Sequence, residues 1–198
     1  MSAFYPDLNA TFVHIPKCGG SFIENILSKA TKQEPVEKTK LVGRHATYFQ
    51  ILNKANKVFS QVREPVSWYV SYYRFCKDKK RTIWEPKVWH PTDILSKCDW
   101  SDFNKWVKSV QKIRPSFLTR MYESFLGDER MSTGIRIFRL EDMPYSLKHI
   151  FDYLETNKEI PEIIDTDYNK SISSIPRISR KTIKLIKERE KNIYERFY

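Results

Sequence analysis

The sequence predicts an α/β protein in three layers, α/β/α, around a central parallel sheet. Two observations carry this. Short, β-branched apolar runs at Thr11 to Ile15, Lys57 to Val62 and Gly134 to Arg139 read as buried strands. Each is followed by a segment with helical periodicity, and strands that alternate with helices build a parallel sheet covered by helices. A chain of 198 residues, 40% of them apolar, suits one domain with a sizeable core.

Taken in order, residues 1–10 read as a lead-in to the first strand. A tight turn from Pro16 to Gly20 follows it, and a helix starts at Ser21. Phe22, Ile23, Ile26 and Leu27 share one face of that helix, and Glu24 lies in the first turn, where the dipole favours it. Residues 31–40 are polar and form a surface loop. Ala46 to Ala55 reads as a helix after Leu41-Val-Gly-Arg-His45. The second strand ends at Arg63-Glu-Pro, which opens a helix with Pro65 in its first turn. Residues 76–134 are expected to form a helical insertion within the single domain 1–198. Within it, Asp102 to Ile113 and Phe117 to Leu126 read as helices, closed by Pro115 and Gly127. After the third strand, Glu141 and Asp142 are expected to cap a helix from Tyr145 to Glu155. Ser179 to Tyr198 reads as a long basic helix with a break near Tyr194.

The net charge of +11 implies an anionic partner, with much of the excess solvated surface. Cys18, Cys76 and Cys98 are widely spaced and odd in number. They give neither a zinc pattern nor a disulfide framework, and they fit a reducing compartment. No apolar run approaches membrane-spanning length, and Met1 to Ala10 lacks a signal-peptide core. The expected setting is cytoplasmic, unless the chain is a piece of an anchored protein.

The chemistry is densest in Thr11-Phe-Val-His-Ile-Pro-Lys-Cys-Gly-Gly-Ser-Phe22. Strand, glycine turn and helix together aim backbone N–H groups at an anion. Gly19 and Gly20 let the backbone approach phosphate oxygens. Lys17 supplies a mobile positive charge, and Ser21 a hydroxyl at the helix start. The nucleotide triphosphatase loop differs, because its lysine follows the last glycine. A second string, Val62-Arg-Glu-Pro-Val-Ser-Trp-Tyr-Val-Ser-Tyr-Tyr73, puts Arg63 at a strand end and Ser71 eight positions later. An arginine fork suits a phosphate, and a serine hydroxyl can complete the cradle. Between them stands His45, in Gly43-Arg-His-Ala-Thr-Tyr48. Lys17, His45 and Arg63 all follow strands or an apolar stub, so topology allows them one rim. His14 is expected to be buried in the sheet, and His90 and His149 have no supporting context.

The first string resembles the 5′-phosphosulfate loop of sulfotransferases that use 3′-phosphoadenosine 5′-phosphosulfate (PAPS). It is most similar to the heparan sulfate 2-O-sulfotransferase-like carbohydrate enzymes. The resemblance implies a sulfotransferase fold of the P-loop NTPase-like kind. It implies that Lys17, Cys18, Gly19, Gly20, Ser21 and Phe22 hold the 5′-phosphate, and that Arg63 and Ser71 bind the 3′-phosphate. It also implies that Lys17 and His45 are catalytic, with His45 the base, although Gly43 stands where some relatives carry a second histidine. Asn169-Lys170-Ser171 would close over the nucleotide. The expected partners are PAPS, leaving 3′-phosphoadenosine 5′-phosphate (PAP), and a hydroxyl acceptor, expected to be a glycan. No metal and no nucleic acid are expected.

The acceptor would lie against residues 76–125. There the tryptophans either stack on sugars or pack a helical subdomain, and Lys77, Lys79, Lys80 and Arg81 would hold an acidic glycan. Two other classes compete: a nucleotide or small-molecule kinase with a variant loop, and a basic nucleic-acid-binding module. The first lacks the Gly-Lys-Ser/Thr order, and the second lacks a recognised binding motif.

Overall fold

The computed structural model describes residues 3–32, 36–37, 47–50, 57–78, 91–128, 133–143, 145–161 and 174–198. Strands β1 (Ala3–Tyr5), β2 (Ala10–Val13), β3 (Val36–Glu37), β4 (Lys57–Val62) and β5 (Ile135–Arg139) form one sheet in the order β3-β1-β2-β4-β5. The centre is parallel, as expected, with Phe12 opposite Phe59 and Gln61 opposite Phe138. The flank is not. β1 runs antiparallel to β2, and β3 antiparallel to β1, so the sheet is mixed. The stretch read as a lead-in therefore carries a strand. Its three residues are too few for an alternation to register in sequence. A 3₁₀ turn at Pro6–Leu8 closes the hairpin, ending on Asn9 in the left-handed region (φ 43°), which asparagine tolerates.

The chain divides into two compact units, Met1–Arg63 with Tyr122–Asn169, and Glu64–Met121 with Lys170–Tyr198. In the first unit, helices α1 (Gly20–Thr31) and α6 (Tyr145–Tyr153) bury their apolar faces against the sheet. Ile23, Ile26 and Leu27 of α1 join Leu147, Ile150 and Phe151 of α6 over Phe12, Phe59 and Phe138. Each such side chain contributes about 1.5–3 kcal/mol on burial. The 3₁₀ turn Leu140–Asp142 joins β5 towards α6 and contains the two acids expected to cap that helix.

The second unit is helical: α2 (Pro65–Asp78), α3 (Thr92–Leu95), α4 (Phe103–Ile113), α7 (Arg180–Arg189) and α8 (Lys191–Phe197). Helix α5 (Phe117–Leu126) belongs to it up to Met121. Asp102 caps α4 by accepting from the Lys105 N–H, and Ser179 caps α7 by accepting from the Thr182 N–H. Trp68 stacks on Tyr72 at 4.7 Å, and Trp100 on Tyr73 at 5.8 Å. Trp68 and Trp106 are fully buried. These tryptophans pack the helical unit; Trp84 and Trp89 lie outside the described residues. The C-terminal helix breaks at Glu190, four residues before the expected Tyr194, because Glu190 turns inward as a buried acceptor. Of the expected helix at 46–55, the described part is a 3₁₀ turn at Tyr48–Gln50. Among the described residues no helix is long and apolar enough to cross a membrane.

Candidate active site

The turn after β2 is held in a conformation that few side chains accept. Lys17 has φ 64° and Gly19 φ 78°, both left-handed. A Cβ on Gly19 would fall 2.7 Å from Leu140 Cδ1 and 3.0 Å from Gln61 Oε1. A Cβ on Gly20 would fall 2.3 Å from the His14 ring. Gly19 is thus required by backbone angle and by space, and Gly20 by space alone.

Helix α1 starts on this turn. Its N-cap is Gly19, which has no side chain to cap it. The Phe22 and Ile23 N–H groups donate to the Gly19 carbonyl at 3.0 and 3.3 Å. The N–H groups of Gly20 and Ser21 precede that first intrahelical bond, so the helix offers them no acceptor. They sit at the positive end of the helix dipole. Ser21 and Phe22 are half-buried, with Phe22 packed against the core.

Arg63 leaves the C-terminal end of β4, and its Nη1 donates to the Lys17 carbonyl at 3.3 Å. The Arg63 guanidinium and the Lys17 backbone therefore meet at the same end of the parallel strands, where α/β sheets bind ligands. Tyr122, which the sequence did not single out, fixes this meeting. Its hydroxyl accepts from the Arg63 N–H and donates to the Arg63 carbonyl, both at 2.9 Å. It also lies 3.3 Å from Cys18 Sγ. Burial pushes the Cys18 thiol up to about 12, against the lowering effect of the Tyr122 hydrogen bond and of Arg63. At neutral pH it is a protonated, enclosed thiol and no nucleophile.

Beneath the turn, His14 Nδ1 pairs with Glu24 Oε1 at 2.8 Å. Burial opposes ionisation of Glu24, but the hydrogen bond and charge of His14 prevail and hold the carboxyl below its ordinary value. His14 is buried, as expected, and its imidazole is the floor under Gly20.

The structure thus brings Lys17, Cys18, Gly19, Gly20, Ser21, Phe22 and Arg63 to one end of the sheet. Ser71 lies half-buried on α2, in the second unit. His45, Lys170 and Ser171 lie outside the described residues. Tyr122 and Gln61 carry no local signal. A tyrosine in an amphipathic helix and a glutamine in a strand reach the turn only through tertiary structure. Among the described residues no cluster of His, Cys, Asp or Glu could hold a metal ion.

A mixed sheet with a parallel centre, whose first parallel strand leads through a glycine turn into a helix, defines an α/β protein. The model of the Sulfotransferase family matches residues 3–196, and the chain belongs to that family. No curated protein and no solved structure matches it.

Proposed function

We propose that the chain transfers a sulfuryl group from PAPS to an acceptor hydroxyl on a carbohydrate, as the heparan sulfate 2-O-sulfotransferase-like enzymes do. The observation that carries this reading is the turn itself: Gly19 and Gly20 admit no Cβ, and the helix start they form has no side-chain cap. Such a cradle suits a phosphate. PAPS supplies the sulfuryl group.

The chain's own residues position and neutralise. The N–H groups of Gly20 and Ser21 hold the 5′-phosphate. The Lys17 ammonium stabilises charge that develops on the leaving oxygen. Arg63 offers its guanidinium to the 3′-phosphate, and Ser71 is assigned to the same phosphate by the family resemblance. His45 takes the acceptor hydroxyl's proton, since an imidazole titrates near neutral pH. Lys170 and Ser171 cover the nucleotide. Positioning and charge account for most of the rate, as in phosphoryl transfer.

The test is thermal stability with PAP, AMP and ATP–magnesium, on wild type and Arg63→Ala. At one hundred times its dissociation constant a ligand stabilises by about 2.7 kcal/mol, a visible melting shift. A shift with PAP that Arg63→Ala loses is the expected result. A folded protein that ignores PAP would sink the reading, and a shift with ATP–magnesium alone would point to a kinase.

A further inference from the structure

Three polar side chains stand under the turn, and one of them has no hydrogen-bond partner among the described residues. β2 and β4 are in parallel register with Val13 opposite Ser60, which puts His14 and Gln61 on the next rung. His14 lies under Gly20 and is bonded to Glu24. Arg63, two residues beyond Gln61, donates to the Lys17 carbonyl. Gln61 lies between them. It is 1% exposed, and neither its Nε2 nor its Oε1 has a hydrogen-bond partner among the described residues.

Its surroundings make this unusual. Along β4 its side chain falls on the same face as Phe59, which packs on Phe12 at 5.1 Å and on Phe138 at 6.2 Å. A leucine would fill that layer without burying an amide, which is disfavoured when unpaired. The side chain of Leu140, which cannot bond it, stands with Gln61 around Gly19. Oε1 stands 3.0 Å from where a Gly19 Cβ would be. Gln61 thus lies beside the glycine turn.

We propose that Gln61 is a positioning residue whose partner is the turn in its anion-bound form. In a planar trans peptide the N–H and C=O point in opposite directions. When the Gly19 N–H turns outward onto the 5′-phosphate, the Cys18 carbonyl turns inward and accepts from Gln61 Nε2. The amide thereby favours the conformer that binds, a coupling that ligand binding completes. This inference rests on the nucleotide reading of the turn and adds a residue to it.

The experiment compares wild type, Gln61→Met, which keeps the shape, and Gln61→Leu. Affinity for PAP and for inorganic pyrophosphate is measured by titration, and melting is measured without ligand. The expected result is PAP affinity weakened by about three- to tenfold, the value of one net hydrogen bond, with ligand-free melting at or above wild type. Affinities of both variants within twofold of wild type overturn the inference, whatever their melting. If wild type binds pyrophosphate but not PAP, the nucleotide reading fails, and Gln61 is judged on the pyrophosphate ratio. If wild type binds neither, both fail.

Discussion

Two buried polar side chains, Glu190 in the helical unit and Gln61 in the sheet unit, are treated in opposite ways. In the helical unit, Glu190 is fully buried and saturated. Its carboxylate accepts from the Tyr69 hydroxyl at 2.7 Å, Gln111 Nε2 at 2.9 Å, the Leu118 and Thr119 N–H groups at 3.3 and 2.9 Å, and the Thr119 hydroxyl at 2.7 Å. One carboxylate thus ties α2, α4 and α7 to the start of α5. In the sheet unit, Gly19 at the start of α1 has no side chain to cap the helix, and Gln61 beside it has no hydrogen-bond partner among the described residues. A saturated polar centre specifies packing, because every donor already has its acceptor. An unsaturated one is a place where something else is expected to bind.

The largest effect should come from breaking the saturated centre. Glu190→Ala leaves several buried donors without an acceptor and is expected to cost on the order of 3–5 kcal/mol. Urea denaturation checks this, with a lowered midpoint at an unchanged slope. Next comes the floor of the turn. Gly20→Ala drives a methyl group into the His14 ring and should cost about 1–3 kcal/mol, together with loss of PAP binding in titration. Tyr122→Phe removes the hydroxyl shared by Arg63 and Cys18. It should cost about 1–2 kcal/mol and weaken PAP binding, because the Arg63 backbone loses its tether.

Smaller effects sharpen the same contrast. Glu24 has a folded-state value below its ordinary 4.5. Its contribution is therefore present above that ordinary value and lost as pH falls through the lowered one. Glu24→Gln should flatten the acid side of the stability curve there, as denaturation across acidic pH would record. The smallest effect is at Cys18. With its thiol at about 12, alkylating reagents at pH 7–8 should leave it unmodified in the folded chain. Mass spectrometry before and after unfolding checks this.

The turn was legible in the sequence because its chemistry is local: proline, lysine and two glycines between an apolar strand and an amphipathic helix. The parallel centre of the sheet was legible for the same reason, since β2, β4 and β5 are apolar runs followed by helices. β1 was not, because three residues carry no period. Glu190 was not either. In a basic helix, with Lys187 and Lys191 close by, a glutamate reads as a surface residue, and only tertiary packing brings Tyr69 and Thr119 to it. Tyr122 and Gln61 failed similarly: Tyr122 stands 104 residues from Cys18 in the chain, and neither side chain belongs to a motif.

Lys17 offers the most direct test of the central claim, that the Pro16–Gly20 turn is an anion site kept at some cost to stability. A lysine held at φ 64° is strained, and glycine relieves that strain. The deciding measurement is a calorimetric titration of PAP into wild type and Lys17→Gly, with melting of each recorded alongside. The account predicts that Lys17→Gly melts at or above wild type and loses most of its affinity for PAP. A Lys17→Gly protein that binds PAP as well as wild type, or a folded wild type that gives no heat with PAP, would contradict it.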